Sequence, residues 1–220
     1  MSIAEIDRSQ AESMDDLLQR LGGISPKRVR MRPFPGTATV ADVVSIRDHE
    51  KRLFELVDGV LVEKAMGFKE GVLAVVIASL LREFVIPRNL GIVGGADSMM
   101  QLFPESVRIP DVTYVSWAKV PGQRIPDEPV PVMAPDLAVE VLSVSNTRRE
   151  MERKIEEYLD ASVPLIWVVD PDARTVTVHA GSAQGTVVPQ SGTLDGGTVL
   201  PGFTLPVSKI FAELDRRPNP

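Results

Sequence analysis

The chain has 220 residues, 44% of them apolar, which is enough for one sizeable hydrophobic core or a core with a small appendage. Cysteine is absent, which excludes disulfides, thiolate catalysis and every cysteine-rich zinc or iron–sulfur site. The formal net charge of −6 argues against a protein that coats nucleic acid without regard to sequence, although an acidic metal site would contribute negative charge of its own.

Residues 1–38 read as an addition to the main domain. "AESMDDLLQRLGG" predicts a short helix ended by Gly22-Gly23, and the Pro- and Arg-rich connector that follows carries Lys27, Arg28, Arg30 and Arg32. This basic run reads as a solvated loop in preference to a phosphate contact. The main domain is expected over 39–214, with a tail at 215–220. Thr39 caps a helix running to about Glu50, and "RLFELVDGVLVEKA" predicts two strands turning at Asp58-Gly59. From Lys69 to about Val85 the residues Leu73, Ile77, Leu80, Leu81 and Phe84 follow helical spacing and leave Arg82 and Glu83 outside. The segment from Gly91 to Trp117 predicts three strands, punctuated by glycines, Pro104 and Pro110. A proline-rich loop leads to an apolar strand, "PDLAVEVLS". "TRREMERKIEEYLDA" is a helix with a capping box, Thr147 and Glu150, buried along Met151, Ile155, Tyr158 and Leu159. Two further strands, "VPLIWVVD" and "RTVTVHA", precede short strands and a small terminal helix. The order predicts an α/β (α+β) domain with a mixed sheet flanked by helices and a C-terminal β-rich extension. No segment holds about 18 consecutive apolar residues, and neither a transmembrane span nor a secretory leader is recognisable, so a cytoplasmic protein is expected.

A carboxylate written into a buried strand is costly unless something compensates it. Glu140 poses that problem in "PDLAVEVLS", where Leu137, Val139 and Val141 form an all-apolar side and Glu140 shares the other with Asp136 and small Ala138. A cleft is expected on the Glu140 side. In the helix that follows, Lys154 lies at the rim of the buried stripe and is the basic residue best placed to face the sheet. Asp111, after Pro110 in "VRIPDVTYVS", is a second acid in apolar surroundings, and pairing of successive strands would bring it toward Glu140. Glu70 lies on the buried face of its helix, in the first turn. Carboxylates that converge need a cation, and all-oxygen ligation suits Mg²⁺ or Mn²⁺. The blander readings are an ion pair of Glu140 with Lys154, a turn hydrogen bond at Asp111, a Glu150–Lys154 surface pair, a dipole role for Glu70 and a strand-fixing role for Asp136. The two histidines, His49 and His179, sit in unrelated contexts and give no support to a histidine metal cluster or a Ser-His-Asp triad.

Taken in order, "FELVDGVLVEK", "RIPDVTYVS", "PDLAVEVLSVSN", Lys154 with Tyr158, "VPLIWVVDP" and "LPGFTLPVSKIF" resemble the PD-(D/E)XK nuclease superfamily. More specifically, they resemble the bacterial Uma-two family of restriction-endonuclease-like proteins, over about residues 40–214. The resemblance implies a restriction-endonuclease-like core, Asp111, Glu140 and the Val141 carbonyl as metal ligands, Lys154 as the catalytic lysine, and Glu70 as a further acid, with Glu63 a weaker substitute. The superfamily places its lysine two residues after the glutamate; here that position is Leu142, and Lys154 on the next helix takes the role. It implies a Mg²⁺- or Mn²⁺-dependent endonuclease acting on DNA, duplex in form, as a homodimer. Two other readings stay open: a non-catalytic nuclease-fold binding module, and a metal-dependent hydrolase of a small phosphorylated substrate.

Overall fold

The structure is a computed structural model that describes residues 13–65 and 67–217. Residues 1–12 of the predicted N-terminal segment and 218–220 of the tail lie outside the described residues. The helices are α1 (Met14–Arg20), α2 (Val40–Glu50), α3 (Phe68–Val85), α4 (Arg148–Asp160) and α5 (Val207–Asp215). The strands are β1 (Phe54–Val57), β2 (Val60–Glu63), β3 (Gly91–Gly94), β4 (Met100–Phe103), β5 (Ser106–Arg108) and β6 (Val112–Ser116), followed by β7 (Leu137–Val141), β8 (Leu165–Asp170), β9 (Thr175–His179), β10 (Thr186–Pro189), β11 (Thr193–Asp195) and β12 (Thr204–Pro206).

Local chemistry sets the principal boundaries. The Asp42 carboxylate accepts the Thr39 N–H at 2.8 Å, satisfying a donor that the start of α2 would leave without a partner. Asp58 and Gly59 both take positive φ, +47° and +71°, the conformation that lets a two-residue turn join right-twisted strands. The Thr147 hydroxyl accepts the Glu150 N–H at 3.0 Å, while the Glu150 side chain returns to the Thr147 N–H, closing the expected capping box of α4.

The larger sheet runs in the order β10-β9-β8-β7-β6-β3, and is mixed because β7 and β8 are parallel while their neighbours are antiparallel. A parallel pair needs a crossover, and α4 supplies it. On one face α3 and α5 bury Leu73, Ile77, Leu81, Ile210 and Phe211 against Val139, Val141, Trp167 and Val169. On the other, α4 packs Met151 and Tyr158 against Ala138, Ile166 and Val168. Both faces of β7 are therefore covered, and Glu140 is 5% exposed; the cleft expected on its side gives way to helix α4. A smaller sheet, β2-β1-β5-β4, packs Phe54, Leu56 and Val107 under Val43 and Ile46 of α2.

Two expectations are corrected by the packing. The third strand predicted between Gly91 and Trp117 is split into β5, in the smaller sheet, and β6, in the larger one. Proline has no N–H to give a sheet ladder, so the chain changes sheets at Ile109-Pro110. The basic connector is also not simply a solvated loop. Arg28 forks onto Glu150 at 2.8 and 3.0 Å and Arg30 onto Glu50 at 2.7 Å, while Leu17, Leu21, Ile24 and Val29 pack on Val57, Val60 and Val62; Lys27 is left exposed. Gly22 lies against α4 so closely that an added Cβ would come within 2.5 Å of the Glu150 nitrogen.

Candidate active site

β6 and β7 are antiparallel and their paired register ends at Val112 opposite Val139, so Asp111, the residue before β6, lies beside the end of β7 that carries Glu140. The negative charge of Asp111 is felt at Glu140, so the two carboxylates lie near one another. Two backbone contacts lock Asp111 in place: its N–H donates to the Val139 carbonyl at 2.9 Å, and its Oδ2 accepts the Val141 N–H at 2.7 Å. The acid after Pro110 is thus sewn to the end of β7.

Glu140 is met from α4. The Lys154 ammonium donates to Oε2 at 3.1 Å and the Tyr158 hydroxyl to Oε1 at 2.6 Å. Lys154 and Tyr158 stand four apart, one helical turn, so a single helix face supplies both donors. Lys154 is 5% exposed, at the centre of that face and not at its rim, and it does not pair with Glu150, which is taken by Arg28.

The residue that sequence reasoning missed is Glu55. It lies on β1, 1% exposed, and accepts from Lys154 at 3.0 Å, Arg108 at 2.9 Å and the Ile109 N–H at 3.2 Å. The signal for it was the one that singled out Glu140, a carboxylate inside an apolar strand, here "FELV". Lys64 was missed as well. Its side chain is 4% exposed, its ammonium lies 2.9 Å from Asp111 Oδ1, and it donates to the Ile109 carbonyl. Glu70, by contrast, begins α3, on the face of the sheet opposite α4. Its carboxylate folds back over Gly67, and no ion pair or hydrogen bond joins it to Asp111, Glu140 or Lys154 among the described residues. Glu63 pairs with Arg52 at 2.7 Å, and Asp136 accepts the Ser116 N–H at 2.7 Å at the start of its strand.

The two carboxylates on either side of Lys154 are not equivalent. Burial pushes both up, but at Glu55 the combined charges of Lys154, Arg108 and Lys64 prevail and hold it at about 2. At Glu140 burial wins: Lys154 opposes it, but the negative charges of Asp111 and Glu55 add to it, and the group sits above the usual carboxylate range. Burial alone would discharge Lys154, yet Glu140 and Glu55 keep it protonated well above its ordinary value. Burial, with Glu140 and Glu55 nearby, holds the Tyr158 hydroxyl protonated too, so it donates and does not ionise. From this centre ion pairs run outward through Arg108 to Glu157 at 2.7 Å, then through Arg153 to Asp58 at 2.8 Å, tying both sheets to α4.

The donor set suits a small hard cation. Asp111 and Glu140 offer carboxylate oxygens, and Asp111 Oδ1 with the Ile109 carbonyl already holds a positive charge, the Lys64 ammonium. No group of three or more acidic or histidine side chains is arranged as a metal cage among the described residues. Mg²⁺ is commonly held by one or two carboxylates with its remaining positions filled by water. Among the described residues no helix is long and apolar enough to cross a membrane.

No curated protein matches the chain. A crystal structure of a putative nuclease belonging to DUF820 from Anabaena variabilis superposes with a TM-score of 0.67 at 20% identity, covering 74% of this chain and 92% of that one, and shows the same fold. The family model for Uma2, described as putative restriction endonuclease, matches residues 40–208, and the chain belongs to that family.

Proposed function

We propose that the protein is a divalent-metal-dependent endonuclease that hydrolyses phosphodiester bonds in DNA. The observation that carries the reading is the approach of Asp111, bonded to the end of β7, to Glu140, with the Lys154 ammonium 3.1 Å from Glu140, on the fold of an endonuclease family. Asp111, Glu140 and the Val141 carbonyl would hold Mg²⁺ or Mn²⁺. When bound, such an ion neutralises charge on the phosphate and lowers the pKa of an attacking water. The chain's own groups supply the rest. Lys154, kept protonated, is a fixed positive charge for the phosphate oxygens and not a proton acceptor. Tyr158 holds one oxygen of Glu140 so that the other faces Lys154. Glu55 positions Lys154 from the opposite side. Glu70 enters only as an outer residue, because its carboxylate is turned onto its own helix. Duplex DNA as substrate, two copies acting on its two strands, and a cytoplasmic setting complete the reading.

The test is nicking of supercoiled plasmid in Mg²⁺ or Mn²⁺ by the parent and by Asp111→Ala, Glu140→Ala and Lys154→Ala. Each variant is expected to lose on the order of 100-fold or more in rate. Equal cleavage by all four would place the activity elsewhere. A second reading, a non-catalytic nuclease-fold binding module, is favoured by one observation: the buried carboxylates are already neutralised by the chain's own cations. Under it, divalent ions leave the melting temperature unchanged in the parent and in Glu140→Ala alike; under the endonuclease reading they raise it in the parent alone.

A further inference from the structure

Three buried carboxylates, Glu55, Asp111 and Glu140, face three cations, the buried Lys154 and Arg108 and the covered side chain of Lys64. Glu157, the other partner of Arg108, is matched from outside by Arg153. The cluster is electrically complete without a metal. A divalent ion added to it would leave two buried positive charges in excess, which a low-dielectric site does not tolerate.

One of the three cations is held less firmly than the others. Lys154 lies between two carboxylates, at 3.0 and 3.1 Å, and is anchored within α4. Arg108 bridges Glu55 and Glu157. Among the described residues Lys64 has a single carboxylate, Asp111, and one main-chain carbonyl, and it stands one residue past the end of β2 on the connection into α3. Its four-carbon stem can carry the ammonium outward without moving a strand.

We infer that Lys64 is an internal counter-ion that occupies the cation position at Asp111 and must swing out for a divalent ion to bind there. The inference rests on the endonuclease reading and adds to it a residue that sets metal affinity. It also bears on the substrate. With Lys64 displaced, a bound divalent ion leaves the cluster one positive charge in excess, and a phosphodiester carries one negative charge. The metal and the nucleic-acid backbone then complete the balance together, and each favours the binding of the other. Without them Lys64 closes the site and stabilises the fold.

The experiment measures Mn²⁺ binding by calorimetry to the parent, Lys64→Gln, Lys64→Arg and Glu140→Gln, with thermal unfolding of each. If the state with Lys64 displaced is populated one time in ten or less, its competition weakens metal binding about tenfold or more. Lys64→Gln, which keeps a donor for Asp111, is expected to bind Mn²⁺ at least about tenfold tighter than the parent, to melt lower without metal and to recover with it. Lys64→Arg is expected to bind no tighter than the parent, since the charge remains. In the unaltered protein, acylation of the Lys64 amine read by mass spectrometry should rise when Mn²⁺ is added, because a side chain 4% exposed becomes accessible. Unchanged or weaker Mn²⁺ affinity in Lys64→Gln, or acylation indifferent to Mn²⁺, with Glu140→Gln abolishing binding, would overturn the role of Lys64 and leave the metal site standing. Failure of the parent and of Lys64→Gln alike to bind Mn²⁺ would remove the metal reading, and this inference with it.

Discussion

Replacing Glu55 by Gln keeps the shape of the side chain and removes the charge that Arg108, Lys154 and the Ile109 N–H all address. Two independent arguments give the magnitude. A carboxyl held at about 2 in the fold against 4.5 outside it contributes about 3 kcal/mol at neutral pH. Breaking a buried ion pair by removing one partner costs about 3–5 kcal/mol, and the lower end applies here because Lys154 keeps Glu140 and Arg108 keeps Glu157. Their agreement makes about 3 kcal/mol the expected loss, which for a chain of this length lowers the melting temperature by about 6–12 °C. The sign with pH follows from the direction of the shift. A depressed carboxyl contributes stability above its unfolded value of 4.5, and that contribution is lost as pH falls toward about 2. Urea unfolding of parent and Glu55→Gln, repeated from pH 7 downward, should give a difference that is flat above pH 5 and shrinks below it. A difference under about 1 kcal/mol at pH 7, or one that does not change in acid, would refute the assignment of Glu55 as the charged anchor of the cluster.

Glu140 should behave in the opposite way. Its charged form is disfavoured by burial and by its acidic neighbours, so the folded state binds its proton more tightly than the unfolded one and the ionised group opposes folding at neutral pH. Glu140→Gln should therefore melt at or above the parent at pH 7 while losing nicking activity, and a melting temperature well below the parent would contradict this. Tyr158→Phe deletes the 2.6 Å donor to Glu140 and should cost about 1–3 kcal/mol by chemical denaturation, with a nicking rate lowered but measurable. Gly22→Ala places a methyl against the Glu150 backbone at a φ of +89°, and should destabilise by about 2 kcal/mol or more and expose residues 13–38 to limited proteolysis.

Much of the fold was legible because its signals are local. The Asp58-Gly59 turn, the Thr39 and Thr147 caps, the helical stripe from Leu73 to Leu81 and the alternation in β7 each depend on residues a few positions apart. The passage of one extended segment between two sheets at Pro110 was less legible. Proline marks an interruption, but whether the chain resumes in the same sheet is decided by partners far away in sequence. The destination of Arg28 was hidden for the same reason, since its acceptor on α4 is 122 residues distant. In the candidate site, alternation and helical spacing brought Asp111, Glu140 and Lys154 into view. Glu55 poses in "FELV" the problem "LAVEV" poses, but the cations that answer it, Arg108 and Lys154, are far away in sequence and no local spacing points to them. Glu70 has the spacing of a buried first-turn acid and is only half-buried, its carboxylate folded onto Gly67.

The choice of cations at the centre follows the demands on each position. Arg108 must bridge two carboxylates that arrive from different elements, β1 and α4, and a planar guanidinium with five donors can serve both while staying charged at any accessible pH. A lysine there would lack the breadth of the guanidinium fork, leaving Glu55 to Lys154 or Glu157 to Arg153 alone. Lys154 needs only a point charge between two oxygens 3.0 and 3.1 Å away, and a helix-borne ammonium provides it without the breadth that would separate Glu55 from Glu140. These two residues fix Glu55, which has no remaining freedom and little excess energy. Glu140 shares Lys154 with Glu55 and faces Asp111, whose own partner Lys64 is the cation held least firmly, so its charge is balanced only while Lys64 stays in place. A protein built only for stability would relieve that dependence with a neutral side chain of the same size. Retaining the carboxylate makes sense where a further positive charge is to be received at Glu140 and Asp111, which is the physical content of the endonuclease reading.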